Sequence, residues 1–337
     1  MMRGRQIWAS KFVATLERPL DLDQKYGLLE INPKLFGSLT QSQNENVFVL
    51  NNFYRERQKE TSNQIIQEIL NLLSVFGSMA TENVLLTRKF LLEKTTELTG
   101  NYLLADTALK FYESQFQVSY ASALNPEFAD EFERFYKVAT HLTKKENTNI
   151  YALADAYLKV FPENKEWLKE TPRPTFMRVV PTRLGSVFPF AEVENPREPV
   201  ENYFRFRKQV NHSLNSMQLN KKINSEKTGQ YVEFISRVHL AMIYYHFFEE
   251  LNGRFSRVMM NFLNIRNGFL PMILNTDSKS IDSYKLSNQI GLVTGRTNKW
   301  GYEADVYWQF AQLTINWVIV QQIRAEKLYL NLKKLFS

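Results

Sequence analysis

The 337-residue chain contains no cysteine. Disulfides and thiolate metal sites are therefore excluded, which fits a reducing compartment. No apolar run approaches the length needed to span a bilayer. The first twenty residues, MMRGRQIWASKFVATLERPL, begin basic but lack an uninterrupted apolar core before a small-residue cleavage site. No signal peptide is expected, and a cytoplasmic location is the default reading. No G-x-x-x-x-G-K-[S/T] run occurs, so nucleotide binding cannot rest on a Walker-type loop. His239 and His246 fall on one helix face, but no further His, Cys or acid completes a zinc set. The net charge of +7 is spread among acids rather than stacked into a basic block, so it signals a solvated surface more than a nucleic-acid interface.

What is present is an ordinary globular composition, 44% hydrophobic and 23% charged, with no repeat or low-complexity tract. Clean period-2 alternation is nearly missing, and period-3.6 spacing dominates. Tyr231, Phe234, Ile235, Val238, Met242 and Tyr245 form one helical stripe. Phe255, Val258, Met259 and Phe262 form a second, ending at Asn267-Gly268 with Pro271 beyond. Val306, Phe310, Leu313 and Trp317 form a third, followed by Val320 and a charged tail. Segments near 61–77, 84–97, 102–119, 126–142 and 149–168 also read as helices, so the chain is expected to be all-α.

One stretch breaks the pattern. Pro172, Pro174, Pro181, Pro189, Pro196 and Pro199, with Gly185, are poorly tolerated by helices. Within it, TFMRVVPTRLGSVFPF flanks a turn-like centre with β-branched and aromatic residues, as a short hairpin or flap would. A boundary near residue 170 is expected here, dividing an N-terminal helical region (1–170) from a second domain (171–337). Neither half resembles a Gly/Ser linker, so the two are expected to pack on each other.

The densest chemistry lies in His246-Phe247-Phe248-Glu249-Glu250-Leu251-Asn252-Gly253-Arg254-Phe255-Ser256-Arg257. A helix is expected to end near His246, a loop containing Asn252 and Gly253 to follow, and a new helix to start near Phe255. Orphan backbone N–H groups and the helix dipole favour an anion at such a start. Asn252-Gly253 can take positive φ and turn several N–H groups to one point. Arg254 and Arg257, three apart, can clamp phosphate oxygens. Glu250 is a hard oxygen ligand suited to Mg²⁺. His246 can act as a general base near neutral pH. Base, metal ligand, anion loop and cationic clamp together describe a phosphate-transfer site.

This run resembles the Fic family motif H-x-F-x-[D/E]-G-N-G-R-x-x-R, matching at His246, Phe248, Glu250, Asn252, Gly253, Arg254 and Arg257. It departs at Phe247, where the family usually has Pro, and at Leu251, where it usually has Gly. The resemblance implies a helical core with a short hairpin flap. It also implies transfer of AMP from ATP to a Ser, Thr or Tyr hydroxyl of a target protein, with Mg²⁺. His246 would take the hydroxyl proton, Phe248 would anchor the loop, and Glu250 would hold Mg²⁺. Asn252 and the Gly253 backbone would cradle phosphates, Arg254 and Arg257 would position the phosphate tail, and Tyr284 would line the adenine pocket. The segment near 177–190 stands where the family's flap pairs with an extended piece of the target, by strand addition.

The resemblance extends to a brake. Many family members carry an inhibitory helix with the motif [S/T]-x-x-x-E-[G/N]. Here residues about 70–83 end in Ser78-Met79-Ala80-Thr81-Glu82-Asn83. A Glu82 carboxylate set against Arg257 would neutralise the clamp and repel a γ-phosphate. Other phosphate-containing transfers, removal of AMP, and a degenerate nucleotide-binding module remain open on the same fold, as does a homodimer. The target protein is not named by the sequence, and no membrane partner is expected.

Overall fold

A computed structural model of the chain describes residues 39–59, 63–143, 160, 179–181, 187–189, 206, 208, 210–215, 217, 224–245, 252–297 and 304–337. The architecture is all-α. In chain order the described helices are α1 (Gln41–Arg57), α2 (Gln64–Ala80), α3 (Arg88–Thr99), α4 (Tyr102–Gln115) and α5 (Pro126–Thr143). They continue with α6 (Ser225–Tyr245), α7 (Asn252–Arg266), α8 (Ser278–Thr297) and α9 (Ala304–Phe336). Between α5 and α6, β1 (Val179–Pro181) and β2 (Val187–Pro189) pair antiparallel with Val180 opposite Phe188, and β2 lies against α8.

Local chemistry sets the helix ends. Thr40 opens α1 with a reciprocal capping box to Gln43. Asn63, Thr87 and Asn101 cap α2, α3 and α4 through their side-chain oxygens. The expected helix over 84–97 therefore starts four residues late, at Arg88, because Thr87 holds the first-turn N–H groups. α7 ends in a Schellman motif: Gly268 is left-handed at φ 78°, Phe269 N–H donates to Asn264 O and Gly268 N–H to Ile265 O.

α2 is the central helix. Ile69, Leu70, Leu72, Leu73, Phe76 and Met79 are fully buried, and the remaining residues of its last three turns are buried as well. α3, α5, α7 and α9 pack around it. Its close fit shows at Gly77, where a Cβ would come within 2.9 Å of the Leu274 backbone. One apolar cluster joins α1–α5 to α6–α9, so the N-terminal helices do pack on the rest. The boundary near residue 170 and the helix over 149–168 lie outside the described residues, apart from helical Val160.

Two expectations about the C-terminus are corrected. The charged tail after Val320 is a continuation of α9, which buries Ala325, Leu328, Tyr329 and Leu332 along one face. Charges there are partnered: Arg57 of α1 makes a bidentate pair with the buried Glu326. Leu313 is exposed rather than part of the buried stripe, which runs instead through Ile315, Val318 and Ile319. α1 was invisible to the periodicity argument because its sequence, QSQNENVFVLNNFYRER, is mostly polar.

Candidate functional site

α7 begins at Asn252, three residues earlier than expected, so Asn252 and Gly253 form its first turn instead of a preceding loop. Neither residue has positive φ. Glycine at 253 makes room for a side-chain contact: a Cβ there would lie 2.7 Å from Glu82 Oε1 and 3.2 Å from Arg257 Nη1. The carboxylate of Glu82 thus rests on the N-terminal turn of α7, where helix N–H groups favour negative charge.

Glu82 reaches that spot because of how α2 ends. Asn83 N–H donates to Ala80 O and Val84 N–H to Met79 O, a Schellman arrangement that needs a left-handed residue, supplied by Asn83 at φ 63°. Ser78 and Glu82 are one turn apart and share a face. Both meet Arg257. Arg257 Nε donates to Ser78 Oγ (2.8 Å), Nη2 to Ser78 O (3.0 Å) and to Glu82 Oε1 (2.8 Å), and Nη1 to Tyr284 Oη (3.1 Å). The guanidinium is buried, while the Glu82 side chain keeps 34% exposure. Burial works to raise the Glu82 pKa, but Arg257, with Lys285 and Arg254 adding to the positive field, holds it below the ordinary carboxylate value. Burial likewise opposes the charge on Arg257, yet Tyr284 and Glu82 together hold its pKa above the usual value.

Behind Arg257 the network continues inward. Tyr284 Oη is 2.9 Å from His239 Nε2, and Asn288 Nδ2, which can only donate, is 3.3 Å from the same nitrogen. Nε2 is therefore the acceptor, and Nδ1 carries the proton toward Ser256 Oγ at 2.6 Å. Burial, with Arg257 nearby, pushes the His239 pKa down to about 3, so the ring is neutral. His239 was considered at the sequence level only as half of a zinc pair. Its actual partners are a tyrosine, an asparagine and a serine.

Arg254 has a different neighbour. Its Nη1 is ion-paired with Glu131 Oε1 on α5, and its guanidinium stands 5.6 Å from the centre of the Phe135 ring, one turn along the same helix. Both ends of the pair are largely buried. The two arginines therefore bind two carboxylates instead of converging on one point. Nothing in the sequence flagged Glu131, which lies far upstream of Arg254. Ser78, Glu82, Asn83, Asn252, Gly253, Arg254, Arg257 and Tyr284 are thus accounted for, whereas His246, Phe248, Glu250 and Leu251 lie outside the described residues.

No family profile matches the sequence, and no curated protein matches it. Among solved structures, the chain is similar to a Fic-domain-containing signaling protein from Bacteroides thetaiotaomicron. The similarity has a TM-score of 0.55 at 14% identity and covers 86% of this chain and 97% of that one. The fold is that of a Fic-domain protein. Within the Fic fold of this chain, the Asn252–Arg257 turn faces the end of α2, and among the described residues no helix is long and apolar enough to cross a membrane.

Proposed function

We propose that this protein is an AMP-transferring enzyme of the Fic type, held inactive by its own Glu82. The observation that carries the reading is the carboxylate lying between Arg257 and the Gly253 turn: a negative group resting against a buried cation at a helix start. A γ-phosphate offers the same charge and hydrogen-bond acceptors, so the two compete for one position. The Gly253 surface, with no Cβ, leaves the room such a group needs.

In the reaction proposed, the hydroxyl oxygen of a target Ser, Thr or Tyr attacks the α-phosphorus of ATP. The bond from that phosphorus to the β-bridging oxygen breaks, pyrophosphate leaves, and the hydroxyl proton passes to His246. AMP remains on the target as a phosphodiester. Arg257 binds the leaving end of the nucleotide, and Arg254, still paired with Glu131, stands one turn away on the same helix. Glu250 would hold Mg²⁺, which when bound neutralises charge on the phosphates. The β1–β2 pair is the docking edge for an extended target segment.

Release of the brake is local. Moving α2 bodily would expose six fully buried apolar side chains, each worth about 1.5–3 kcal/mol, so of order 10 kcal/mol in all, comparable to the whole stability of a domain. Swinging the third-exposed Glu82 side chain costs far less. With ATP labelled on the α-phosphate, Glu82→Gly labels protein strongly, wild type weakly, and Glu82→Gly/His246→Ala not at all. Intact mass of the labelled protein separates AMP transfer from phosphoryl transfer. Equal labelling by wild type and Glu82→Gly would defeat the autoinhibited reading.

A further inference from the structure

Arg257 is held by one partner that must leave and another that stays. Glu82 is charged and a third exposed; Tyr284 is buried, and its hydroxyl links the guanidinium to His239. We infer that Tyr284, backed by His239, is the positioning unit that sets the Arg257 guanidinium for an incoming terminal phosphate, and that it does not line the adenine pocket. This rests on the reading that Arg257 receives the end of the nucleotide.

The hydrogen bonds run in one direction from Arg257. Arg257 Nη1 can only donate, so Tyr284 oxygen accepts from it. The phenol proton then goes to His239 Nε2, the unprotonated nitrogen, and His239 Nδ1–H donates to Ser256 Oγ. Ser256 Oγ in turn lies 3.3 Å from His239 O, to which it donates, closing the chain on the backbone of α6. Every member beyond Arg257 is uncharged. The unit therefore orients the guanidinium without neutralising it. The Trp317 ring, tilted against Tyr284 with centroids 4.6 Å apart and stacked on His239 at 6.2 Å, holds the phenol in place. With Glu82 withdrawn, Ser78 and Tyr284 still grip Nε, one Nη2 proton and one Nη1 proton, and the edge facing Gly253 carries an uncompensated positive charge. A carboxylate in place of Tyr284 would cancel that charge, so a phenol suits the position better than a stronger acceptor.

The test uses the full chain in the Glu82→Gly background. Adding Tyr284→Phe is expected to weaken ATP binding about tenfold, the scale of one hydrogen bond to a charged group, while AMP, which lacks the terminal phosphates, loses less than about twofold. Arginine-labelled NMR without nucleotide reads the unit directly: guanidinium rotation at Arg257 speeds up in Tyr284→Phe and in His239→Leu, and stays slow in His239→Gln, which restores an acceptor. Parallel loss of AMP and ATP would return Tyr284 to the adenine pocket and overturn the inference. Unchanged guanidinium rotation in Tyr284→Phe would also overturn it. If Glu82→Gly bound no ATP, the proposed function would fail, while the NMR would still decide the positioning role.

Discussion

Arg254 and Arg257 sit one turn apart on the same helix, yet they live in different surroundings. Arg257 is met by the end of α2, through a serine hydroxyl and carbonyl and a third-exposed carboxylate, and by the buried phenol of Tyr284 on α8. Arg254 is met by the middle of α5, through Glu131 and the Phe135 ring, with only 17% of the Glu131 side chain exposed. A carboxylate at a helix terminus, beside solvent, can swing away with little else disturbed. A carboxylate inside a packed helix face cannot. On the proposed reading, the contrast separates a contact that opens from one that holds two helices together.

The sharpest way to break this contrast is to remove each arginine. In the Glu82→Gly background, Arg257→Ala should cut α-phosphate labelling at least about 100-fold, the scale seen when a buried group that stabilises transferring charge is lost. Arg254→Ala should instead show most of its effect as a lowered melting temperature, since it strands Glu131. Equal loss of labelling at unchanged stability for both would erase the distinction.

Gly253→Ala tests the contact between Glu82 and the α7 turn. In wild type the added methyl overlaps the carboxylate, and a destabilisation of about 1–3 kcal/mol is expected by denaturant titration. With Glu82→Gly the overlap with the carboxylate is gone and only the 3.2 Å approach to Arg257 Nη1 remains, so alanine's helix preference offsets part of a smaller cost, below about 1 kcal/mol. A cycle of the four proteins in which the two substitutions simply add would contradict the geometry. Glu131→Gln, breaking a largely buried pair, should cost about 1–3 kcal/mol of stability yet alter labelling far less than Glu82→Gly.

The remaining effects are pH effects, and they differ in kind. The Glu82 pKa is depressed in the folded state, so its contribution is complete above the ordinary carboxylate value and fades only as pH falls through the lower folded value. Labelling by wild type should therefore stay low across the neutral range and down to mild acid. His239 is also depressed, to about 3, so the unfolded chain binds the extra proton between roughly pH 6.5 and 3. Stability should fall by roughly 1 kcal/mol per pH unit as pH drops through that window. His239→Gln should flatten the slope of melting temperature against pH over that range. An unaltered slope would mean that other groups carry the acid sensitivity.

The sequence revealed local features better than partnerships. The helices with apolar stripes were legible because period-3.6 spacing is local chemistry, whereas the caps at Thr40 and Thr87 went unread and left one helix unseen and another started four residues early. Ser78, Glu82 and Asn83 were legible only through their resemblance to the family's inhibitory motif; the shared helix face of residues four apart and the left-handed helix end explain afterwards why those residue types stand there. The α7 start was misplaced because Asn-Gly reads equally as a turn or a first helical turn. The polar α1 and the charged end of α9 escaped notice because their burial depends on partners such as Arg57 and Glu326, far apart in sequence. Glu131, His239 and the true neighbours of Tyr284 escaped for the same reason. They are defined by tertiary contacts across three helices, which no spacing rule encodes.

The most direct test of the central claim is calorimetric titration of wild type and Glu82→Gly with ATP in the presence of Mg²⁺. If Glu82 fills the position of a terminal phosphate, the variant binds at least about tenfold more tightly, as loss of a competing charge-assisted bond requires. Equal dissociation constants for the two proteins would contradict the account.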